Sequence, residues 1–301
     1  MITPSYLQPG DKIIIVSPAG KVNETYILPA VKWLEGRGYR IELGENIFAS
    51  HFQYAGTDSQ RCSDMQKALD DKDAKAIICS RGGYGTVRII NKLDFSTFMN
   101  HPKWIIGFSD ITIMHACLNN RRVATIHGVM PKYFFDIKGS PNESLITLMK
   151  ILTGEKVSYT IRGSDYNRPG KISAEMTGGN LSIISSMFGT CCELNSEGKI
   201  LFIEDVDEFL YHADRMMYQL NMSGKLSKLA GLVIGNFTDM KDNESPFGKT
   251  IHEIISEAAG NYNYPVCFGF PAGHDEKNLA LVFGKKWEID ISKKRTTLTL
   301  L

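Results

Sequence analysis

Ser109 occupies a position that could make its hydroxyl a nucleophile. It follows the apolar run "KWIIGF" and precedes the helical pattern "ITIMHACL". A serine in such a strand–turn–helix presents its Oγ at the end of the strand. The amides that follow lie at a helix N-terminus, where they can stabilise an oxyanion. The turn reads G-F-S-D-I and lacks the last glycine of the G-x-S-x-G nucleophile elbow, and a serine–aspartate helix cap explains the same residues.

A serine nucleophile needs a base and a carboxylate that orients the base. Of the seven histidines, His274 lies in the loop "GFPAGHDEKN" after an apolar run, where functional side chains of α/β proteins are often found. Glu204 and Asp205 close the apolar run "ILFIED", so we expect at least one of them to be buried and paired. Glu204 could orient a histidine, cap the following segment or pair with Arg215, and sequence spacing leaves these alternatives open.

The stretch "SRGGYGTVRII" raises the possibility of a nucleotide site. Its glycines do not follow the G-x-G-x-x-G pattern, and no Lys-Ser or Lys-Thr pair follows them as in a P-loop. The turn "SPAGKVNE" lacks the dinucleotide pattern as well. A glycine-rich turn after a strand can instead supply a backbone amide to an oxyanion hole or let a substrate approach the main chain, and we favour that interpretation.

The first half of the chain alternates strand and helix patterns. The runs "KIIIV", "YRIEL", "AKAIIC", "KWIIG" and "VATIH" predict strands, Asn23 is the expected N-cap of the first helix, and "TVRIINKL" is predicted to be helical. Nearly continuous apolar strands separated by helices indicate a parallel sheet of Rossmann or flavodoxin-like type, covered on both faces. Ligands bind such sheets at the carboxyl ends of the strands, where the serine-bearing and glycine-rich turns fall.

The second half predicts a smaller α/β domain. "KILFIEDVDE", "AGLVIGNF" and "YPVCFGF" indicate strands with helices between them, and "KKWEIDI" and "RTTLTLL" indicate two closing strands. The polar stretch "RGSDYNRPGKISAEMTGGN" is interpreted as an interdomain crossing. We therefore predict an N-terminal domain over residues 1–150, a linker over 151–170 and a C-terminal domain over 171–301.

Composition excludes several classes of partner. The 301 residues are 43% hydrophobic, and 34 basic residues nearly balance 33 acidic ones. Such a balance gives no electrostatic footprint for nucleic acid or an acidic membrane surface. No apolar run approaches the length that spans a bilayer, and the N-terminus does not have the pattern of a signal peptide. The six cysteines contain no C-x-x-C pair, so we expect a cytoplasmic protein with reduced thiols.

Six segments together resemble the LD-carboxypeptidase family of serine peptidases, which also includes the microcin C self-immunity peptidases. They are "LQPGDKIIIVSPAG", "RGGYG", "GFSDIT", "GGNLS", "FIEDVDE" and "FPAGH", in this order from about residue 7 to residue 274. The resemblance implies a triad of Ser109, Glu204 and His274 divided between two domains, with the active site in the cleft between them. It also implies an oxyanion hole formed by the backbone amides of Asp110 and Gly83. In this family the turn is built as S-D, which accounts for the missing glycine of the elbow.

The resemblance also implies a reaction, namely hydrolysis of the amide between an L-centre and a C-terminal D-amino acid through an acyl-enzyme. No metal or cofactor is expected. A typical member converts a murein tetrapeptide to a tripeptide and D-alanine during cell-wall recycling, and we expect a homodimer. Arg81, Tyr84 and Asn180 are candidate substrate-binding residues, although Arg81 could instead be a surface ion-pair partner. The alternatives are a microcin-immunity-type peptidase acting on peptidyl or aminoacyl adenylates, for which no aromatic loop insertion is evident, and a non-catalytic ligand-binding protein.

Overall fold

Thirteen strands and eight α-helices make up the chain, whose residues 1–301 are all described by a computed structural model. The strands are β1 (Lys12–Val16), β2 (Arg40–Leu43), β3 (Ala74–Cys79), β4 (Trp104–Gly107), β5 (Thr125–His127), β6 (Ser158–Arg162), β7 (Gly170–Asn180), β8 (Ile200–Val206), β9 (Gly231–Thr238), β10 (Val266–Cys267), β11 (Leu281–Phe283), β12 (Lys286–Ile291) and β13 (Arg295–Leu300). The helices are α1 (Glu24–Glu35), α2 (Asp58–Asp70), α3 (Ser96–Asn100), α4 (Thr112–Asn120), α5 (Glu143–Leu152), α6 (Leu181–Ser186), α7 (Leu210–Met222) and α8 (Ile251–Ala258).

These elements form two compact units. The first unit contains Met1–Glu155 and Leu279–Val282, and the second contains Lys156–Asn278 and Phe283–Leu301. The range 151–170, predicted to be a linker, includes β6, and the division of the chain into domains at that range stays a prediction. No helix in either unit has the length and apolar character needed to cross a membrane.

The first unit is built on the predicted parallel sheet. Its strand order is β11–β5–β4–β3–β1–β2, and the pairs from β2 through β5 are all parallel. The order 2-1-3-4-5 is that of flavodoxin-like folds, whose topological switch point lies between β1 and β3. The turns "SPAG" and "RGGYG" follow these two strands, so both begin at the edge of the sheet where such folds bind ligands.

Local sequence explains how the helices of the first unit begin. Asn23 is the N-cap of α1, as predicted, and its Oδ1 accepts a hydrogen bond from the Thr25 amide at 2.9 Å. The prediction of a helix over "TVRIINKL" is wrong, because Thr86–Arg88 and Ile90–Lys92 form two short 3₁₀ turns. The first turn has no side-chain cap, and four of the eight residues are β-branched, which disfavours a continuous α-helix.

The second unit is built on a mixed sheet in the order β10–β9–β8–β7–β12–β13–β6. Strands β7 to β10 are parallel, and β12, β13 and β6 extend the sheet in antiparallel fashion. The polar stretch interpreted as a crossing contains β7, which the sequence analysis missed. Gly178 explains the weak strand signal, because a Cβ atom there would overlap the backbone of Phe202 in β8. The parallel pairing sets Asn180 opposite Glu204 at the carboxyl ends of β7 and β8.

Gly178→Ala tests whether this close approach of β7 to β8 is required. Overpacking and the positive φ of +142° should together lower the free energy of unfolding by about 2–5 kcal/mol, measured by urea unfolding. Gly189→Ala is the matched control, because Gly189 has a φ of +75° and no atom within 4 Å of an added Cβ. The control should lose only about 1–2 kcal/mol, from backbone strain alone. Equal losses in the two variants would contradict the packing argument.

Candidate active site

Ser109 lies between β4 and α4, in the strand–turn–helix that the sequence predicts. It is the first residue of a 3₁₀ turn, Ser109–Ile111, that leads directly into α4. Its φ is +64°, a left-handed conformation that residues other than glycine seldom adopt. Backbone strain of this kind is often found at functional sites and is a feature of nucleophile elbows. The half-buried serine is therefore held in the conformation that such a turn requires.

The glycine-rich turn contacts the serine through Gly82. A Cβ atom at Gly82 would lie 2.8 Å from Ser109 Cβ and 3.0 Å from its Oγ, so a larger residue would displace the serine. Sequence reasoning named Gly83 and missed Gly82. Gly83 is exposed, has a φ of +105° and lies beside Gly20. The oxyanion-hole role of its amide stays a prediction, as does that of the Asp110 amide.

The Asp110 side chain is directed away from solvent. It is 1% exposed, and its Oδ2 accepts a hydrogen bond from the Thr86 amide at 2.8 Å. Burial raises the pKa of this carboxyl, although the amides of Thr86 and Gly85 and the charge of Arg61 oppose the increase. Sequence analysis assigned a role to the Asp110 amide only, so this contact is an additional link between the serine turn and the glycine-rich turn.

Arg81 and Tyr84 lie at the outer side of the same glycine-rich turn. Arg81 Nη1 donates a hydrogen bond to the Lys21 carbonyl at 3.0 Å. Tyr84 is 46% exposed, and the centroid of its ring lies 6.0 Å from that of Tyr54. Both side chains are partly accessible, and their contact with substrate stays a prediction.

In the second unit, Glu204 and His274 form a hydrogen bond. His274 Nδ1 lies 2.7 Å from Glu204 Oε2, and the two side chains are 19% and 0% exposed, respectively. Of the three alternatives for Glu204, this contact is the first, in which Glu204 orients a histidine. Pairing with Arg215 is wrong, since that guanidinium lies over the Tyr211 ring at 5.3 Å. In the segment that follows, the Val206 amide donates to Asp205 Oδ1 at 2.9 Å rather than to Glu204.

The electrostatic environment favours a charged imidazole. Burial by itself lowers the pKa of His274, but the hydrogen bond to Glu204 and the charges of Glu204 and Asp205 outweigh it and raise the pKa above the ordinary 6.5. Glu204 Oε1 is buried without a hydrogen-bond partner. The bond to His274 is therefore the main compensation for burying this carboxylate.

Asp205 belongs to a separate network that includes Asn180. Asn180 Nδ2 donates to Asp205 Oδ1 at 2.8 Å, while Asn180 Oδ1 accepts from the Ser182 hydroxyl and caps α6 through the Ile183 amide. Burial, and then the nearby charge of Glu204, raise the pKa of Asp205 to about 7. Asn180 thus holds an adjacent carboxylate in place, and its predicted contact with substrate stays a prediction.

Gly273 allows the histidine loop to pass close to Glu204. A Cβ atom there would lie 2.8 Å from Glu204 Oε2, and the residue has a φ of +122°. The Gly273 amide donates to Asn278 Oδ1 at 3.0 Å, which fixes the loop beside His274. A residue larger than the glycine of the "FPAGH" segment would therefore collide with the carboxylate.

Two family models together match most of the residues of both units. Residues 13–128 match the LD-carboxypeptidase N-terminal domain, and residues 173–289 match the LD-carboxypeptidase C-terminal domain. The chain belongs to the LD-carboxypeptidase family. It is accordingly a serine-type carboxypeptidase, a hydrolase, as the sequence resemblance predicted.

Individual relatives match along nearly the whole chain. A probable murein peptide carboxypeptidase of Bacillus subtilis is 31% identical, over 98% of this chain and 93% of that protein. The crystal structure of a muramoyltetrapeptide carboxypeptidase from Oxalobacter formigenes superposes with a TM-score of 0.86 at 27% identity, covering 96% of this chain and 98% of that one. The microcin self-immunity protein MccF of Escherichia coli is 24% identical, over 94% of this chain and 90% of its own length.

Glu204→Gln tests the origin of the His274 charge state. Removing the negative charge leaves burial, which disfavours the imidazolium, so the pKa of His274 should fall below its value in the wild type. NMR titration of the histidine ring resonances measures the change. Glu208→Gln is the matched control because Glu208 accepts from His212 Nδ1 at 2.6 Å in a second, more exposed Glu–His pair. An unchanged His274 titration in Glu204→Gln, or an equal shift in the control, would contradict the assignment.

Proposed function

We propose that this LD-carboxypeptidase removes the C-terminal D-alanine from murein-derived tetrapeptides, with Ser109, His274 and Glu204 acting as one catalytic triad. The observation that carries the proposal is the buried hydrogen bond between Glu204 and His274. A serine nucleophile needs a base that a carboxylate orients, and this hydrogen bond joins such a base to such a carboxylate. The strained backbone of Ser109 supplies independent support from the other unit.

Acylation follows from these groups. Glu204 accepts from His274 Nδ1, so the other ring nitrogen, Nε2, takes the proton of the Ser109 hydroxyl. Oγ then attacks the carbonyl carbon of the L-residue, and Glu204 stabilises the imidazolium that forms. The oxyanion accepts hydrogen bonds from the Asp110 amide and from an amide of the Gly82–Gly83 segment. The C–N bond breaks as the imidazolium donates its proton to the amine of D-alanine.

Deacylation repeats the same proton transfers with water. His274 removes a proton from a water molecule, and the resulting hydroxide attacks the acyl-enzyme carbonyl. The ester bond breaks, the tripeptide leaves with a new carboxylate, and Ser109 regains its proton from His274. Apart from the water molecule, each of these steps uses only side chains and amides of this chain.

The substrate assignment rests on the relatives. Murein peptide and muramoyltetrapeptide carboxypeptidases are the relatives with 31% and 27% identity. We propose that Arg81 binds the terminal carboxylate and that Tyr84 and Asn180 line the peptide site. The less similar MccF fits the alternative of an adenylate substrate, and no feature of this chain favours it over the murein peptide. The paired Glu204 and His274 argue against a non-catalytic binding protein.

The remaining features of the proposal come from the resemblance. We propose that the protein acts in the cytoplasm, where murein fragments are recycled, and that it is a homodimer. We also propose a domain division with the nucleophile in residues 1–150 and the histidine and glutamate in residues 171–301, so that catalysis requires both domains.

Incubation with a murein tetrapeptide ending in D-alanine tests the proposed reaction. Mass spectrometry should show rapid loss of one alanine with the wild type and a rate lower by several orders of magnitude with Ser109→Ala, because the acyl-enzyme cannot form without Oγ. A tetrapeptide ending in L-alanine is the substrate control and should stay intact.

The pH dependence provides a second readout of the same experiment. His274 must be neutral to accept the serine proton, and its pKa is raised, so kcat/KM should fall as the pH drops through a midpoint above 6.5. Loss of D-alanine in Ser109→Ala at a rate close to that of the wild type, or an intact substrate in both samples, would refute the assignment.

A further inference from the structure

One peptide group in the first unit is held at both ends by buried side chains of opposite charge. Arg61 Nη1 donates to the Gly85 carbonyl at 2.8 Å, and the amide of the next residue, Thr86, donates to Asp110 Oδ2 at 2.8 Å. Arg61 and Asp110 are each 1% exposed. The carbonyl and amide of a trans peptide point in opposite directions, so the two contacts fix the orientation of the peptide plane. Rotation of this peptide would bring its carbonyl toward the carboxylate.

Arg61 also joins the two turns at the switch point of the sheet. The same Nη1 donates to the Pro18 carbonyl at 2.5 Å, in the turn after β1. A Cβ atom at Gly85, whose φ is +147°, would lie 2.6 Å from Nη1, so this glycine provides the space for the guanidinium. A backbone hydrogen bond of 3.0 Å from the Gly20 amide to the Gly82 carbonyl connects the same two turns.

Asp110 connects this assembly to the nucleophile. It directly follows Ser109, and its carboxylate holds the turn whose Gly82 contacts the Ser109 side chain. Asp110 Oδ1 and Arg61 Nε are buried without hydrogen-bond partners, which reduces stability. Arg61 Nη2 is paired with Asp58 Oδ1 at 2.5 Å, so the unpartnered polar atoms of this assembly are Arg61 Nε and Asp110 Oδ1, and each calls for an explanation.

We propose that Arg61 and the Asp110 carboxylate are positioning residues, which hold the glycine-rich turn against Ser109 so that its amides face the developing oxyanion. This inference rests on the proposed function, because the orientation of the turn matters to catalysis only if Ser109 is the nucleophile. Donors of an oxyanion hole act because they are oriented before the reaction begins. Neither side chain has to touch the substrate in order to affect the rate.

Variants at the two residues test the inference through kcat and KM. Asp110→Asn keeps an oxygen for the Thr86 amide but loses the charge, whereas Asp110→Ala removes the acceptor. We expect kcat to fall by roughly 10-fold in the former and roughly 100-fold in the latter, because small displacements of catalytic groups have effects of this size. KM should change by less than about two-fold, because ground-state binding does not use the oxyanion hole. Arg61→Lys should also lower kcat, by roughly 10-fold, because a single ammonium group replaces the planar guanidinium.

Asp64→Asn is the matched control. Asp64 lies on α2 with Arg61, is 5% exposed, and accepts hydrogen bonds from the Asn46 amide and side chain at 2.8 Å each. Its substitution disturbs a buried carboxylate that has no link to the serine turn. Thermal unfolding should show a loss of stability in this variant, with an unchanged kcat for the folded protein.

The rate of Ser109 labelling by a fluorophosphonate probe distinguishes the possible failures. In the folded protein, the positioning role predicts slower labelling of Asp110→Ala and Arg61→Lys than of the wild type and Asp64→Asn. A labelled, active wild type together with variants of unchanged kcat and labelling rate would overturn the positioning role alone. A wild type that neither reacts with the probe nor cleaves the tetrapeptide would overturn the proposed function and this inference with it. If Asp110→Ala does not fold, Asp110→Asn and Arg61→Lys decide the matter by the same measurements.

Discussion

A carboxylate with no exposed surface has to be paired, and the functional end of the second unit is arranged around the pairing of Glu204 with His274. An unpaired buried charge costs several kcal/mol, about 3–5 when one partner of a buried pair is removed. Gly273 leaves the space for the Glu204 side chain, and Asn180 holds the adjacent Asp205 in a network of its own. Successive side chains of a strand point to opposite faces, which lets β8 carry two neighbouring carboxylates with separate partners.

The first unit meets a different constraint, the left-handed backbone of Ser109. A conformation of this kind costs about 1–3 kcal/mol and persists only where the surrounding structure enforces it. Gly82 packs against the serine from one turn, and Asp110 connects the serine turn to Thr86. Both units thus place strained or buried polar groups at the carboxyl ends of parallel strands, where rigid neighbouring elements can hold them.

Local patterns were sufficient to predict the parallel sheet, the serine turn and the strand end that bears Glu204. They missed β7, because close packing against β8 requires a glycine, Gly178, where a strand normally has a bulky residue. The burial of Arg61 was equally hidden, since an arginine on a polar helix is usually solvated. Its pairing with Asp58 lies within the helix, but its other two partners, Pro18 and Gly85, are distant in sequence. Spacing also could not choose between His274 and Arg215 as the partner of Glu204. Such contacts depend on the assembled fold, whereas apolar periodicity and turn residues act locally.

A kinetic cycle tests most directly the central claim that Ser109 and His274, from different units, act in one reaction. The rates of D-alanine release are measured for the wild type, Ser109→Ala, His274→Ala and the double variant, by mass spectrometry after long incubation. Residues that act as one catalytic unit show strongly non-additive losses. The account predicts that the double variant is no slower than the slower single variant. Losses that multiply in the double variant would show that the two residues act independently and would contradict the triad.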